Sequence, residues 1–418
     1  MADFSTVRDL TLSPQLHDLS QPALPDLATS FDAWRSFDLT LTGDFAGQVY
    51  PAPHAPLPQV GNHGGPRLQS PRLTSVTFGG DALAPELETF LNGVIASSWW
   101  GPAVSDYGIG SGLVMPPVRL TEVPPQQIDD SEIQQWLIEK LNGQHPEFGR
   151  PDGNSLYLLY YPTSTLITYG TYQGCVDFGG YHSSVVLPAG LEVAYAVMAR
   201  CADNPLDPAL SVFETVTVVA SHEIVEAASD AHPDSAPAFS DVDVDNRGWE
   251  GSTGTEVADL CSFLPGADYT FADFPFRVQR SWSNTAAKAG RDPCQPAPPG
   301  EVYFNAAPVL VDSISDPTGI DMFTKGILAA PGESKTIELD LYSEGPTLPI
   351  TVRAVDLSAR FGLPPTLDLT LDHDTGVNGD KLHLTVTSRP ENISTSILSI
   401  ESHLGPYTTQ WLVMVSPD

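Results

Sequence analysis

Two clusters of prolines limit most strongly how this chain of 418 residues folds. They lie at Pro51–Pro58 and Pro293–Pro299. Because proline lacks a backbone N–H and clashes with the preceding helical turn, neither a helix nor a central strand continues through such stretches. A chain of this length also exceeds one ordinary core, so we expect separate domains. The predicted parts are an extended Pro-rich segment over residues 1–60, a central domain over 61–298 and a C-terminal domain over 299–418.

Helical and strand patterns alternate in the central domain, which predicts an α/β (α+β) fold. Asp129 and Glu132 form a capping-box pattern at the start of one helix. The predicted strands are Leu73–Phe78, Leu156–Tyr161 and Val193–Ala199, and the predicted helices are Pro85–Ile95 and the segment that begins at Asp129.

Short apolar runs replace this pattern after the second proline cluster. Asn378-Gly379 between two of the runs is a strong hairpin signal. Several short strands in succession predict an all-β sandwich, and we expect an accessory or binding module because catalytic residue types do not gather there. The predicted strands are Val309–Val311, Thr336–Leu341, Ile350–Val355, Leu367–Leu371, Leu382–Val386, Ser396–Ile400 and Trp411–Val415.

The charge balance excludes one class of partner. The chain has 52 acidic against 19 basic residues, a formal net charge of −33. Such a field repels phosphate backbones, so we expect no nucleic-acid partner. No apolar run reaches the roughly 18 residues of a membrane span. Residues Met1–Leu16 show no secretory signal, and the N-terminal segment is interpreted as a linker, a wrapping arm or a pro-segment.

Four cysteines lie in the middle of the chain, at Cys175, Cys201, Cys261 and Cys294. None has the CxxC spacing of a zinc ribbon. Their even number favours two disulfides, with 175–201 and 261–294 as the suggested pairing, although the sequence alone leaves the pairing open. Disulfides suit a secreted protein, which is the predicted location. Four buried free thiols in a cytoplasmic protein are the alternative.

The segment Leu210–Asp230 carries the strongest chemical pattern. Apolar residues recur along it at helical spacing, and His222 and Glu226 lie four apart on the other face. Flanking valines make that face apolar too, so the polar side chains are expected in a buried helix, where charge is costly without compensation. A metal ion would provide compensation. The β-branched run Val216–Val219 leaves a strand as the alternative.

The sequence His222-Glu223-Ile224-Val225-Glu226 has the HExxE form of a zinc-hydrolase helix. Zinc hydrolases place two ligands four residues apart and use the glutamate after the first as general base on a metal-activated water. The predicted ligands are therefore His222 and Glu226, with Glu223 as the base. Carboxylate oxygen is a legitimate zinc ligand. An ordinary salt-bridged helix face is the alternative.

Two residues are candidates for a third zinc ligand. His232 lies ten residues after His222, the metzincin spacing, although Ser229 replaces the glycine of that pattern and no methionine follows until Met322. Glu256 lies thirty residues after Glu226, as a later glutamate does in gluzincins.

An acidic loop lies between these candidates. Asp241, Asp243 and Asp245 alternate as in calcium loops, but Ser252 stands where an EF-hand has its glutamate. Calcium binding in the Asp241–Asp245 loop and a simple acidic loop both remain open.

Five short sequence blocks follow one another over residues 60–295. Together they resemble the plant phosphate-induced (Exordium-like) protein family and its bacterial relatives, and they leave out the C-terminal domain. The blocks are Asn62–Pro66 before a strand ending in Phe78-Gly79, Ser98–Trp100 followed by Tyr107-Gly108, Gly179–Ser183, Ser221–Asp230, and Trp249 with Glu256–Cys261.

The resemblance implies a zincin-like metallopeptidase fold for the central domain and an extracellular role. It favours Glu256 as third ligand, because the family block includes that glutamate. The family has Asp-Pro after its helix, whereas Asp230 is followed here by Ala231-His232-Pro233, which keeps His232 a candidate.

Two further residues are given supporting roles. His182, beside Tyr181, would donate to the oxyanion of the reaction, and a merely packed pair of side chains is the alternative. Asp259 would orient one of the metal ligands without itself binding the metal.

The predicted function is that of a zinc-dependent metallopeptidase that hydrolyses peptide bonds in a protein or peptide substrate. A catalytically inactive extracellular binding or signalling protein is the second hypothesis. A purely structural calcium protein, in which His222 only packs, is the third.

Overall fold

The structure is a computed structural model that describes residues 49–202, 209–250, 255–262, 264, 266–316, 322–358 and 363–417. Most of the predicted Pro-rich segment, residues 1–48, lies outside the described residues.

In the described ranges of the central part, three helices are longer than two turns. Among them α4 (Val212–Ser229) begins with a capping box. The Ser211 hydroxyl accepts from the Glu214 backbone N–H, and the Glu214 carboxylate accepts from the Ser211 backbone N–H. The helices are α1 (Ala84–Val94), α2 (Trp100–Val104), α3 (Asp130–Lys140), α4 (Val212–Ser229), α5 (Asp259–Ser262) and α6 (Asn284–Lys288), with 3-10 turns at Ser105–Tyr107 and Pro146–Phe148.

The strands of the central part form one mixed sheet and several small ones. The mixed sheet has the order β3-β2-β6-β10-β9, with β4 also paired to β2. The strands are β1 (Val60–Asn62), β2 (Arg72–Thr77), β3 (Leu113–Val114), β4 (Val118–Arg119), β5 (Gln127–Asp129), β6 (Ser155–Tyr160), β7 (Leu166–Tyr169), β8 (Tyr172–Gln173), β9 (Gly180–Val186), β10 (Glu192–Met198), β11 (Phe239–Val242), β12 (Asp268–Phe271), β13 (Phe274–Gln279), β14 (Ser281–Trp282) and β15 (Cys294–Gln295).

Both faces of the mixed sheet are buried. Ala194, Ala196 and Met198 of β10 belong to the core that includes α4, and the residues between them belong to a second core that includes α3. Strands covered on both faces contain continuous apolar runs, which explains the unbroken hydrophobicity of β6 and β10. Strand β9 runs antiparallel to β10, with His182 opposite Ala196, so His182 lies on the face of α4.

The C-terminal strands form two sheets that pack on each other. One has the order β16-β19-β23-β21 and the other β17-β18-β25-β24-β20-β22. Alternating burial, as in β19 and β23, is typical of strands with one face in a core. The strands are β16 (Phe304–Pro308), β17 (Asp312–Ser315), β18 (Phe323–Leu328), β19 (Ser334–Ser343), β20 (Ile350–Asp356), β21 (Leu367–Leu371), β22 (Thr375–Gly376), β23 (Lys381–Ser388), β24 (Ser396–Leu404) and β25 (Tyr407–Ser416).

The central and C-terminal parts share one hydrophobic core. Trp249 packs against Trp411 of β25 with ring centroids 6.1 Å apart. Residues 49–60 bridge the same two parts. The His54 ring stacks on Tyr342 at 3.6 Å, and the Trp282 indole donates to the Pro58 carbonyl. This described end of the Pro-rich segment is therefore packed against the folded protein.

The predicted α/β (α+β) zincin-like fold followed by a sandwich is wrong as a fold class, because the chain is mostly β, with 37% strand against 18% helix. The prediction was based on the alternation of helical and strand patterns in the central part of the chain. It missed short strands that pair in sheets of two or three, such as β7 with β8 and β12 with β13. Such strands of two to six residues are too short to show a clear period.

Most individual elements predicted within these parts are confirmed. Asp129 caps α3 with Glu132 completing the box, and the β-branched run at Val216–Val219 is helical. The predicted strand Val309–Val311 is wrong: these residues link β16 to β17, and Val311 is exposed.

Two disulfides join Cys175 to Cys201 and Cys261 to Cys294, so the predicted pairing is confirmed. They are consistent with an extracellular protein. Within the described ranges, no helix has both the length and the apolar character needed to cross a membrane.

Candidate metal centre

Helix α4 presents His222, Glu223 and Glu226 to the interior of the protein. All three side chains are fully buried. The helix lies against β9, β10 and β13, so its polar face, like its apolar face, is covered by other elements. Because buried charge is costly, these three residues need compensating groups close by.

A close approach of β9 brings a second histidine to the helix. At Gly180, an added Cβ would lie 2.5 Å from Val219 Cγ1 and 2.8 Å from Glu223 Oε1, so this position accepts glycine alone without a shift. His182, two residues along the same strand, is buried beside Glu223.

The first group of candidate ligand atoms surrounds His222. Its Nε2 atom lies 2.9 Å from Glu226 Oε2 and 3.6 Å from Asp259 Oδ1. The three ligand atoms all lie within 4.8 Å of one another. Two atoms bound to one zinc ion at about 2.0–2.2 Å lie no more than about 4.4 Å apart, and both distances from His222 Nε2 are within this limit.

The second carboxylate oxygen of Glu226 is held by α5. Glu226 Oε1 accepts hydrogen bonds from the backbone N–H groups of Ala258 and Asp259, at 3.1 and 3.0 Å. These bonds fix the carboxylate and leave Oε2 directed at His222. The Cys261–Cys294 disulfide anchors the same short helix.

Gln279 determines the tautomer of His222. The Gln279 amide nitrogen donates to the Ala258 carbonyl at 2.8 Å, so its oxygen faces the His222 Nδ1 atom, 3.2 Å away. Nδ1 therefore carries a hydrogen. In the neutral ring the Nε2 lone pair then points at two carboxylate oxygens, the arrangement of a metal ligand oriented by an outer hydrogen bond.

His182 is oriented in a similar way. Its Nε2 atom lies 3.0 Å from the Asp230 carbonyl oxygen and 3.6 Å from Glu256 Oε1. Because a carbonyl oxygen only accepts, Nε2 carries the hydrogen. Nδ1 is then directed at Glu223 Oε2, 3.7 Å away, and a neutral ring offers a lone pair there, whereas donation to an oxyanion from Nδ1 requires the protonated ring.

With its four carboxylates ionised, the cluster carries a net negative charge. Four carboxylates, two imidazoles and several backbone N–H groups meet in a buried volume. Even with both imidazoles protonated, four ionised carboxylates would exceed the positive charge of the cluster by two. The carboxylates belong to Glu223, Glu226, Glu256 and Asp259.

The candidate third ligands lie in different places. Glu256 Oε1 lies 3.6 Å from His182 Nε2. Asp259 was predicted to orient a metal ligand, and in the structure it contributes an oxygen atom to the group of candidate ligands around His222. His232 lies beside Glu192, with Nδ1 and Oε2 3.6 Å apart. Burial lowers the pKa of His232, and the Glu192 charge opposes that effect.

The acidic loop predicted as a calcium site makes contacts within the protein. Asp243 Oδ2 accepts from the Gln59 backbone N–H at 2.7 Å, and Oδ1 accepts from the Asn246 amide at 2.9 Å. Asp241 Oδ2 lies 3.2 Å from His63 Nε2. These contacts tie the loop to the residues around β1, and calcium binding stays a prediction.

Tyr181 faces away from the metal centre. Its hydroxyl and that of Tyr195 both donate to Asp130 Oδ1, at 2.7 and 2.6 Å, on the α3 side of the sheet. Burial raises the pKa of Asp130, against the lowering effect of these hydroxyls.

Gln279 was not among the predicted site residues, and Asp259 was predicted only to orient a metal ligand. A single glutamine at the end of a strand has no sequence signal for metal support. Asp259 had one: it lies three residues after Glu256, in the same motif block.

Comparisons with known proteins give low-identity similarities to single domains of solved structures. No protein-family model and no curated protein matches the chain. Among solved structures, the ASH/PapD-like domain 7 of human CEP192 is 13% identical, covering 22% of this chain and 78% of that domain, with a TM-score of 0.16. The titin M3 domain is 15% identical, covering 22% and 90%, with a TM-score of 0.14. The GAE domain of GGA2p from Saccharomyces cerevisiae is 11% identical, covering 26% and 95%, with a TM-score of 0.15.

Proposed function

We propose that this protein is a secreted, zinc-dependent hydrolase that cleaves peptide bonds in proteins or peptides. The observation that carries the proposal is the convergence of His222 Nε2, Glu226 Oε2 and Asp259 Oδ1 in a buried cluster. In this proposal these three residues hold the zinc ion.

The donor set suits zinc. Imidazole nitrogen and carboxylate oxygen are both zinc ligands, and a set of three protein ligands leaves a further position for solvent or substrate. The tautomer of His222 set by Gln279 supports metal binding, because Nε2 then offers a lone pair. When bound, zinc would supply a Lewis acid that makes water acidic near neutral pH and polarises a carbonyl.

The residues of the chain have distinct tasks in this proposal. Glu223 follows His222 on α4 and accepts the proton of the attacking water. His182 Nδ1 lies 3.7 Å from Glu223 Oε2. The neutral ring offers a lone pair there that can take a proton from Glu223, and the protonated ring can return it. General bases of this kind contribute about 10²–10⁴-fold to rate.

Burial favours a second candidate, an extracellular binding protein in which the metal is structural. The side chains of His182, His222, Glu223 and Glu226 are fully buried, and that of Glu256 is 11% exposed. A closed site is typical of structural zinc, whereas a catalytic site keeps an open position.

Peptide digestion tests the proposal. Zinc-loaded wild-type protein is incubated with casein and a fluorogenic peptide library, beside Glu223→Gln and wild type treated with a chelator. We expect cleavage by wild type alone, with a loss of about 10²-fold or more in the variant. Full zinc loading of both proteins without cleavage by either would reject the hydrolase in favour of the binding protein.

A further inference from the structure

His182 lies in a set of contacts of its own beside that of His222. Its Nδ1 atom lies 3.7 Å from Glu223 Oε2 and 4.0 Å from Glu226 Oε2. These three residues form a second group of candidate ligand atoms, all within 4.8 Å of one another, and Glu226 belongs to both groups.

In the part of the chain that the structure describes, no group of candidate ligand atoms within 4.8 Å contains both histidines. Two atoms bound to the same zinc at about 2.0–2.2 Å are no more than about 4.4 Å apart. Among the described residues, the ligand groups of His182 and His222 have only Glu226 in common. The two histidines are therefore assigned to two positions that share the Oε2 atom of Glu226.

We propose that His182, Glu223 and Glu226 form a second binding position for a divalent cation such as Zn²⁺. This inference rests on the proposed function, since Glu226 would be shared with the zinc held by His222. Imidazole nitrogen with carboxylate oxygens suits zinc and neighbouring transition metals better than calcium. The hydrogen bond from His182 Nε2 to the Asp230 carbonyl directs Nδ1 into this position.

Occupation of the second position changes the role of Glu223. A carboxylate bound to a cation no longer accepts a proton, so the general base is lost. The protein would hydrolyse peptides at low free zinc and be inhibited as free zinc rises. The second position thus makes the activity sensitive to zinc concentration.

Equilibrium dialysis against Zn²⁺ with elemental analysis tests the inference independently of activity. The full chain is compared as wild type, His182→Asn, Glu223→Gln and His222→Asn, with circular dichroism to verify folding. His383→Asn is the matched control, because His383 also contacts a carboxylate, Asp372, at 2.9 Å but lies exposed in the C-terminal part.

The expected saturation is about two zinc ions per chain for wild type and His383→Asn, falling to about one for His182→Asn. Glu223→Gln, which keeps the side-chain shape, is expected to weaken the second ion at least about 10-fold. Saturation of wild type at about one ion that His222→Asn abolishes would overturn the second position and leave the zinc proposal intact. Two ions retained in His182→Asn would also overturn it. No zinc in any protein would overturn both proposals.

Discussion

His222 Nε2 lies 2.9 Å from Glu226 Oε2, one turn along the same buried helix. Neighbouring groups hold both side chains in place. Gln279 Oε1 faces the His222 Nδ1 atom, and the backbone N–H groups of Ala258 and Asp259 donate to Glu226 Oε1. A lone pair and a carboxylate oxygen at this distance repel each other unless a proton or a cation lies between them. The proposed zinc ion provides that attraction.

Loss of the outer support of His222 should weaken zinc binding. In Gln279→Leu the side chain keeps its approximate size but no longer accepts from His222 Nδ1. We expect zinc affinity to fall about 10–100-fold, as it does when partners of ligating histidines are removed. Competition with a chromophoric chelator measures this. Gln410→Leu, at another buried glutamine in β25, is the control, and equal loss in both variants would contradict a specific role for Gln279.

Substitutions of Asp259 and His232 test which of these residues is the third zinc ligand. Because Asp259 Oδ1 lies 3.6 Å from His222 Nε2, Asp259→Asn should lower zinc affinity by more than the roughly 100-fold seen for outer partners. His232→Asn should leave affinity unchanged, since His232 pairs with Glu192. The same chelator competition distinguishes the two, and the opposite ranking would show that the metzincin-like spacing was correct.

Removal of each of the two disulfides should have a different effect on zinc affinity. They close loops with separations of 33 and 26 residues, so removal of either should lower the free energy of unfolding by about 3–4 kcal/mol. Cys261 lies two residues after Asp259 in α5, whereas Cys175 packs in the α3-side core. Serine replacement of Cys261 and Cys294 should therefore weaken zinc binding, and the same change at Cys175 and Cys201 should not. Chemical denaturation and zinc titration check both parts, and equal zinc affinities would contradict the coupling.

Glu250 should make stability depend on pH. Burial raises the pKa of its carboxyl from 4.5 to about 7, although the Val242 backbone N–H and Arg247 oppose this effect. Between these values the folded protein holds a proton that the unfolded chain has released, so stability falls as pH rises through this window. Relative to Glu250→Gln, wild type should lose on the order of 2 kcal/mol between pH 5 and pH 8.

Urea unfolding at several pH values measures this difference. Glu391→Gln, at an exposed position, serves as the control and should run parallel to wild type. A Glu250→Gln profile parallel to wild type would show that the Glu250 carboxyl is ionised in the folded protein throughout.

Local patterns in the sequence predicted several elements but not the fold class. The capping box at Asp129 and the apolar repeat of α4 depend on neighbouring residues alone, and both helices form. The balance of strand and helix depends on short segments such as β14 and β15, which exist only because distant residues pair, Trp282 with Cys294. Long-range pairing of this kind leaves little periodicity in the sequence.

The candidate site also combines contacts that are local in sequence with contacts between distant segments. His222, Glu223 and Glu226 are four residues apart or less, so one helix suffices to bring them together. His182 joins them from β9 through the close approach at Gly180, and Gln279 from the end of β13. The relative positions of separate elements decide these contacts, and a single sequence does not contain them.

Zinc content at low free zinc tests the proposed centre most directly. Wild type, His222→Asn and His383→Asn are dialysed against buffered zinc that fills one position, and bound metal is measured by elemental analysis. We predict about one zinc ion per chain in wild type and His383→Asn and none in His222→Asn. Equal zinc in folded His222→Asn and wild type, or no zinc in either, would contradict a zinc centre at His222 and Glu226.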